Sequence, residues 1–247
     1  MGAAAFWLGL TEGISDGLSS FAKLGSGYYT DRLRHRKPVA VLGYVVTALG
    51  TAAIGLATSA WHVLFARAAA WLGRGIRTPV RKALLAAAVT PETYGRAFGF
   101  ERMMDTLGAI AGPALAVCML ALVEHNHRIL FGLTLIPGFA AAASMAFLVK
   151  ERQREPVGYF SFLQGLRGLP GRFKSFLLAV GVFGAGDFAH SMLILLATDR
   201  LSGSLGPGKA ASIAVGLYVI HNVLYEAAAF GSGILAYRFS RKQLLAG

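Results

Sequence analysis

Long apolar runs separated by short loops are the feature that most restricts how this chain can fold. A helix needs about 20 apolar residues to cross the hydrocarbon core of a bilayer. No water is available there to satisfy backbone polar groups, so a spanning run must close its own hydrogen bonds as a helix. We therefore expect an all-α, polytopic membrane protein. The candidate spans are residues 3–28, 39–59, 61–86, 97–123, 129–149, 175–197 and 210–236.

The composition agrees with a membrane location. Hydrophobic residues make up 55% and charged residues 15% of the 247 residues, which is too apolar for a soluble globule of this size. The net charge of +12 comes from basic residues gathered in short loops between apolar runs, so we expect a lipid bilayer and no nucleic acid as partner. The single cysteine, Cys118, excludes both a disulfide and a thiolate metal site within the chain.

A short, strongly basic loop joins the first two runs and predicts their orientation. Basic side chains place this loop on the cytoplasmic side of the membrane by the positive-inside rule. The segment 150–174 is also rich in Lys and Arg, whereas the turns at 59–60 and 124–128 carry little positive charge. The alternation is consistent and puts residue 1 outside. The loop contains Gly27, Asp31, Arg32, Arg34, Arg36 and Lys37.

The order of residues in this loop is a recognisable pattern. The loop has a glycine, three further residues, Asp-Arg and then a basic pair. This order resembles the signature loop between helices two and three of the major facilitator superfamily of secondary transporters. Arg34 stands where a second glycine is usual. In this resemblance the loop is a gate that closes the cytoplasmic side of the transporter.

Two later motifs resemble the same superfamily. Arg67 with Gly73 and Gly75 resembles its fourth-helix motif, although Ala70 and Trp71 replace the usual glutamine and glycine. The segment 108–113, which contains Gly108, Gly112 and Pro113, resembles the fifth-helix motif associated with antiporters. Small residues let helices approach closely, and the proline permits a kink.

The resemblance implies a domain organisation. Residues 1–150 correspond to an N-terminal half bundle without its first helix, 151–174 to a cytoplasmic linker with a short surface helix near 159–166, and 175–247 to the start of the C-terminal half. The chain would then be a fragment covering helices two to eight of twelve. A degenerate echo of the loop near the end, with Gly233, Arg238, Arg241 and Lys242, favours such an internal repeat.

Ionisable residues inside the predicted spans are candidates for function, because each is costly to place in a membrane. In the first run, Glu12, Asp16, Ser19 and Lys23 share one helical face and must line a cavity or pair with another helix. Basic and acidic residues at similar intervals in the third and fourth runs are candidate partners. They are Arg67, Arg74, Arg77 and Arg81 in the third run, and Glu101 and Asp105 in the fourth.

The last two runs each carry a polar pair one helical turn apart. Asp187 with His190 is a candidate proton relay, since the unperturbed pKa of histidine lies nearest neutrality. Asn222 and Glu226 form the second pair. Hydrogen bonding between helices is the alternative for both, and a metal site is disfavoured because no third ligand lies nearby.

Asp105 is our candidate for energy coupling. It lies nine residues into a run that starts near Arg96, which is about 13 Å at 1.5 Å per residue. Desolvation raises the pKa of a carboxyl group and a nearby arginine lowers it, so a conformational change that exchanges the two influences makes a proton carrier. Arg74 and Arg77 lie at suitable heights. A permanent ion pair that only holds helices together is the alternative.

Together these features predict secondary active transport of a small solute by alternating access. A polar cavity with both signs of charge is compatible with proton-coupled efflux of amphipathic molecules or with the handling of anions. The resemblance implies a monomer in the cytoplasmic membrane of bacterial type, without a cofactor, and names no substrate. A seven-helix receptor and a membrane-embedded enzyme are the alternatives. The seventh run lacks a mid-membrane lysine for a Schiff base, and no recognisable nucleophile, catalytic base or metal motif is present.

Overall fold

The computed structural model describes residues 2–122, 126–151, 167–185 and 190–238, and in these ranges it contains helices and no strand. This confirms the all-α class. Single 3-10 turns follow the second helix at Ile54–Leu56 and precede the fourth at Pro91–Thr93. The helices are α1 (Gly2–Thr30), α2 (Lys37–Ala53), α3 (Ala60–Ala88), α4 (Tyr94–Leu122), α5 (His127–Leu133), α6 (Leu135–Phe147), α7 (Gly171–Ala185), α8 (His190–Leu205) and α9 (Pro207–Arg238).

Local sequence signals explain where several helices begin. Pro38 occupies the first turn of α2, where its missing N–H costs nothing. The side chain of Ser59 accepts a hydrogen bond from the backbone of His62 at the start of α3. Asn126 does the same for α5, where its Oδ1 accepts from the backbone N–H of Arg128 at 3.1 Å.

The predicted fifth span, 129–149, is divided into α5 and α6 at Thr134. Pro137 lacks the N–H that would bond the carbonyl of Leu133, and its ring disfavours a regular helix one turn earlier. The hydroxyl of Thr134 donates to the carbonyl of Phe131 at 2.6 Å, which satisfies one acceptor at the break. The interruption therefore has a local cause.

The other predicted spans fall on described helices. The sixth, 175–197, covers parts of α7 and α8, while residues 186–189 between them and the surface helix predicted near 159–166 lie outside the described residues. Judged by length and hydropathy alone, two stretches of the described chain qualify as membrane spans. They are Lys37–Leu56 and His127–Phe147, with hydropathies of 2.0 and 1.8.

The chain forms two compact units. The first comprises Met1–Tyr94 and Asn126–Ala189, and the second comprises Gly95–His125 and His190–Gly247. In the first unit α3 packs against both α1 and α2, and α2 also packs against α6. In the second unit α8 packs against α9. The division into halves at 151–174 stays a prediction.

Glycines bring α2 and α3 into backbone contact. A Cβ added at Gly50 would lie 2.6 Å from the backbone nitrogen of Ala70, and one added at Gly73 would lie 2.7 Å from the carbonyl oxygen of Gly43. Such distances leave no space for a side chain. Small residues therefore determine how closely these two helices approach.

The ends of the first unit are distinguished by their side chains. At the end where α1 and α3 begin, the rings of Trp7 and Trp61 meet edge to face at 5.0 Å between centroids. Tryptophans of this kind are typical of the membrane interface. At the opposite end, Ala40, Val80 and Met145 form a small buried core that joins α2, α3 and α6 below the basic loop.

Candidate functional site

Glu12 and Arg67 form an ion pair between α1 and α3. Arg67 Nη2 donates to Glu12 Oε1 at 2.6 Å, and the two side chains are only 27% and 10% exposed, respectively. Arg67 lies seven residues into α3, a depth of roughly 10 Å at 1.5 Å per residue. The pairing that the sequence predicted between the charged face of the first run and the arginines of the third is confirmed for these two residues.

Asp16 lies one turn further along α1 and has a partner that the sequence did not indicate. Its Oδ1 accepts a hydrogen bond from the indole Nε1–H of Trp71. The guanidinium carbons of Arg67 and Arg74 lie 4.7 Å and 5.3 Å from the centroid of the same indole ring. An aromatic ring attracts such cations through its negative face. Trp71 thus links one carboxylate to two guanidinium groups.

We call these five residues the charged contact: Glu12, Asp16, Arg67, Trp71 and Arg74. Arg74 occupies the middle of the 29-residue helix α3. Apart from the indole ring, its guanidinium has no hydrogen bond or ion pair with the described part of the chain. A cation at this depth needs polar surroundings, so the face of α3 that carries it is suited to a polar cavity.

Two buried polar atoms of the charged contact and its neighbourhood are unsatisfied. Ser15 Oγ and Arg67 Nε have no hydrogen-bond partner among the described residues, and Ser15 is fully buried. A buried donor without a partner costs free energy and calls for an explanation.

The arginines of α3 do not all point toward α1. The guanidinium of Arg77 lies 4.2 Å from the ring centroid of Tyr44 on α2. The shared face predicted from their spacing is therefore divided between two neighbouring helices. Ser19, predicted on the charged face of α1, is buried against Gly75, where an added Cβ would lie 2.5 Å from the Ser19 carbonyl oxygen.

The basic loop contains a second group of polar contacts, centred on Arg36. This side chain is buried, its Nε donates to the carbonyl of Thr30 at 3.0 Å, and its Nη2 donates to Asp31 Oδ1 at 2.8 Å. A carbonyl at the end of a helix has no partner within that helix. Arg36 therefore caps α1 and binds the carboxylate of the signature loop at the same time.

Glu151 completes this group from a distant part of the chain. Its two carboxylate oxygens accept from the backbone N–H groups of Arg36 and Lys37, at 2.5 Å and 3.2 Å. A carboxylate at a helix N-terminus is favoured by the free N–H groups and by the helix dipole. Glu151 thus caps α2 from the segment after α6. We call Thr30, Asp31, Arg36 and Glu151 the loop clamp.

The remaining loop residues have separate roles. The guanidinium of Arg32 lies 4.1 Å from the ring centroid of Tyr28 and donates to the hydroxyl of that tyrosine. Gly27 faces Pro79 of α3, where an added Cβ would lie 3.9 Å from the proline Cβ. The structure thus places Asp31 against Arg36, while the gating role of Asp31 and Arg32 stays a prediction.

The candidates of the fourth run lie on α4, in the second unit. Glu101 and Asp105 occupy its first half, and Pro113 lies inside the continuous helix. A Cβ added at Gly108 or Gly112 would meet nothing within 4 Å among the described residues. The packing role of these glycines, and the exchange of Asp105 between an arginine and a proton, stay predictions.

The polar pairs of the last two runs are only partly described. Asp187 and the side chains of His190 and Glu226 lie outside the described residues. Asn222 donates from Nδ2 to the carbonyl of Tyr218 on its own helix at 2.8 Å. The proposed relay and the proposed contact between helices therefore stay predictions.

Comparison with known proteins identifies the family. The family model of the Major Facilitator Superfamily matches residues 5–247. The chain belongs to this superfamily. It is thus a multi-pass membrane protein of a transporter family, which favours transport over the receptor and enzyme alternatives. The predicted family and the membrane-protein class are confirmed.

Individual relatives agree with this assignment. An uncharacterized MFS-type transporter of Methanocaldococcus jannaschii is 28% identical over 245 residues, which is 99% of this chain and 61% of the relative. The multidrug resistance protein MdtH of Citrobacter koseri is 30% identical over 146 residues, covering 58% of this chain and 36% of MdtH. The chain thus spans less than two thirds of the length of these relatives.

Proposed function

We propose that the protein is a secondary active transporter that exports a small amphipathic solute across the cytoplasmic membrane by alternating access, driven by protons. The observation that carries the proposal is the ion pair between Glu12 and Arg67, deep in the contact between two helices of the first unit. Ionisable groups inside a membrane protein mark substrate or ion pathways. The resemblance of part of the chain to a protein named for multidrug resistance supports the outward direction.

The ion pair supports a specific coupling step. When Glu12 carries its charge, it neutralises Arg67 and both side chains are held between α1 and α3. When Glu12 takes up a proton, the attraction weakens and the guanidinium becomes available to the adjacent cavity or to a substrate. In the proposed cycle, a movement of α1 relative to α3 that separates the two side chains accompanies the uptake or release of the proton.

The loop clamp supports the gating half of the proposal. Asp31 and Arg36 connect the end of α1 to the start of α2 on the cytoplasmic side, and Glu151 adds the segment after α6. Breaking these hydrogen bonds would release the end of α1, the start of α2 and the segment after α6 from one another. In the proposed cycle the clamp is formed when the cytoplasmic side is closed.

Transport by inside-out vesicles tests the coupling. With ethidium as the probe, Glu12→Gln is expected to abolish accumulation driven by an imposed pH gradient, and to spare exchange of ethidium down its own gradient. Glu92→Gln is the matched control, because Glu92 lies between α3 and α4 and is fully exposed. Undiminished accumulation by Glu12→Gln at equal expression would contradict the coupling role.

Asp105 is the second candidate for the same role, on the basis of its depth in α4. Asp105→Asn in the same vesicles separates the two. Loss of pH-driven accumulation in Asp105→Asn alone would assign coupling to α4, whereas loss in Glu12→Gln alone would assign it to the charged contact. Loss in both would mean that the proton passes through both carboxylates.

A further inference from the structure

A cationic groove lies at the cytoplasmic end of the first unit, beside the loop clamp. Its volume is about 300 Å³, and residues of the basic loop, the last turns of α3 and the segment after α6 line it. The positive-inside rule puts these segments at the level of the lipid headgroups. Its charged lining residues are Arg34, Arg36, Lys150 and Glu151.

Two of these four charges are already used within the protein. Arg36 is bound to Asp31 and to the carbonyl of Thr30, and Glu151 accepts from backbone N–H groups at the start of α2. Arg34 and Lys150 are exposed and make no hydrogen bond or ion pair with any part of the chain that the structure describes. The groove therefore presents two cations that form no ion pair with the described residues.

The α3 part of the groove lining is apolar. Leu84 and three alanines from the last two turns of α3 form it, and Ala87 and Ala88 are exposed. Leu84 also packs against the core of Ala40, Val80 and Met145, which holds this wall in place. A cationic side and an apolar side thus meet in a single groove at the membrane surface.

We propose that this groove binds one anionic phospholipid, with its phosphate between Arg34 and Lys150 and the start of an acyl chain against Leu84. Phosphate is the recognised chemistry, and guanidinium and ammonium groups both bind it. A free phosphate ion would gain nothing from the apolar wall, so we assign the lipid. The proposal does not depend on the transport mechanism or on the charged contact.

One of the two cations departs from the usual signature loop, so the groove is a feature of this sequence. Arg34 stands where the signature loop usually has a glycine, and Lys150, 116 positions further along the sequence, lines the same groove next to the capping residue Glu151. Basic pockets on the cytoplasmic side of membrane proteins commonly bind anionic headgroups. Each cation near the surface adds attraction for such a lipid.

Native mass spectrometry of the detergent-purified protein tests the proposal. The probe is dioleoyl phosphatidylglycerol, compared with the zwitterionic phosphatidylcholine of the same chains and with inorganic phosphate. The first phosphatidylglycerol is expected to bind saturably and more tightly than phosphatidylcholine. Arg34→Gln and Lys150→Gln should each weaken it about fivefold, and the double variant about 25-fold.

Arg96→Gln is the matched control, because it removes an exposed cation at the start of α4, outside the groove, and should leave the affinity unchanged. Unchanged melting temperatures of the lipid-free variants would show that they are folded. Equal affinity for phosphatidylglycerol in the unmodified protein and the double variant would overturn the proposal. The proposal would also be overturned if inorganic phosphate displaced the lipid at the concentration at which the lipid itself binds, because the site would then recognise the bare anion.

Discussion

The two sides of α3 are built differently. Toward α2, glycines place one backbone directly against the other, and an added Cβ at Gly43 would lie 2.8 Å from the carbonyl oxygen of Gly73. Toward α1, in the half of the contact nearer the start of α3, long side chains bridge the helices through Glu12 with Arg67 and Asp16 with Trp71. The α2 side of α3 is therefore closed by backbone, whereas the α1 side is closed by backbone at Gly75 and by long side chains nearer the start of the helix.

This difference indicates where movement can begin. The backbones of α2 and α3 touch directly, so neither helix can slide along the other without a clash. Protein interiors are close-packed and leave no free space for such a movement. A bridge of long side chains can open by a change of rotamer, without disturbing either backbone. We infer that α2 and α3 act as a rigid pair and that the part of the α1–α3 contact bridged by Glu12 and Arg67 is where a rearrangement can begin.

Removing the arginine of the bridge should have the largest effect. Arg67→Met leaves the buried carboxylate of Glu12 without its partner, which is expected to cost about 3–5 kcal/mol of stability. The double variant Glu12→Leu with Arg67→Met should recover most of the loss, because no uncompensated charge remains. Thermal unfolding in detergent measures both. A double variant as unstable as Arg67→Met alone would show that the unpaired carboxylate of Glu12 is not the cause of the loss.

Adding a single methyl group at the glycine contact between α2 and α3 should lower the stability of the protein. Gly50→Ala places a Cβ 2.6 Å from the backbone nitrogen of Ala70, so α2 and α3 must separate. Overpacking of this kind is expected to cost about 1–3 kcal/mol. Gly13→Ala is the control, since a Cβ there meets nothing within 4 Å among the described residues. Equal melting temperatures for the two variants would show that α2 and α3 are not closely packed at Gly50.

At the end of the first unit that carries the basic loop, Glu151 should stabilise the start of α2. Glu151→Ala removes the carboxylate that accepts from the N–H groups of Arg36 and Lys37, and loss of a cap costs about 0.5–2 kcal/mol. The start of α2 should then exchange its amide hydrogens faster, as hydrogen–deuterium exchange can measure. Glu92→Ala is the comparison residue. Unchanged protection around residue 37 would remove Glu151 from the loop clamp.

Asp31 should have the smallest effect on stability and a distinct effect on transport. Its side chain is 60% exposed, so the ion pair with Arg36 is expected to contribute less than about 1 kcal/mol to folding. Asp31→Asn should therefore insert and melt like the unmodified protein but transport more slowly, because the clamp on the end of α1 is weaker. Unchanged turnover in vesicles at equal expression would remove the gating role of this carboxylate.

Sequence reasoning predicted the elements of this protein well, because their signals are local. Apolar length, Pro38, Ser59 and Asn126 indicate where helices lie and begin, and the basic loop indicates the family. Periodicity placed Glu12 and Asp16 on one face of the first run and required a partner for it. The break of the fifth span at Thr134 was missed, although Pro137 was a visible sign of it.

The partners themselves were decided only by the tertiary structure. Periodicity determines which face of a helix carries a charge, but it contains no distance to another helix, so the bond from Trp71 to Asp16 was not predictable. The same holds for Glu151, whose bond to the backbone of Arg36 joins positions 115 residues apart. Which carboxylate of α1 meets which donor of α3 depends on how closely these two helices pack, and that distance follows from contacts such as Gly75 against Ser19.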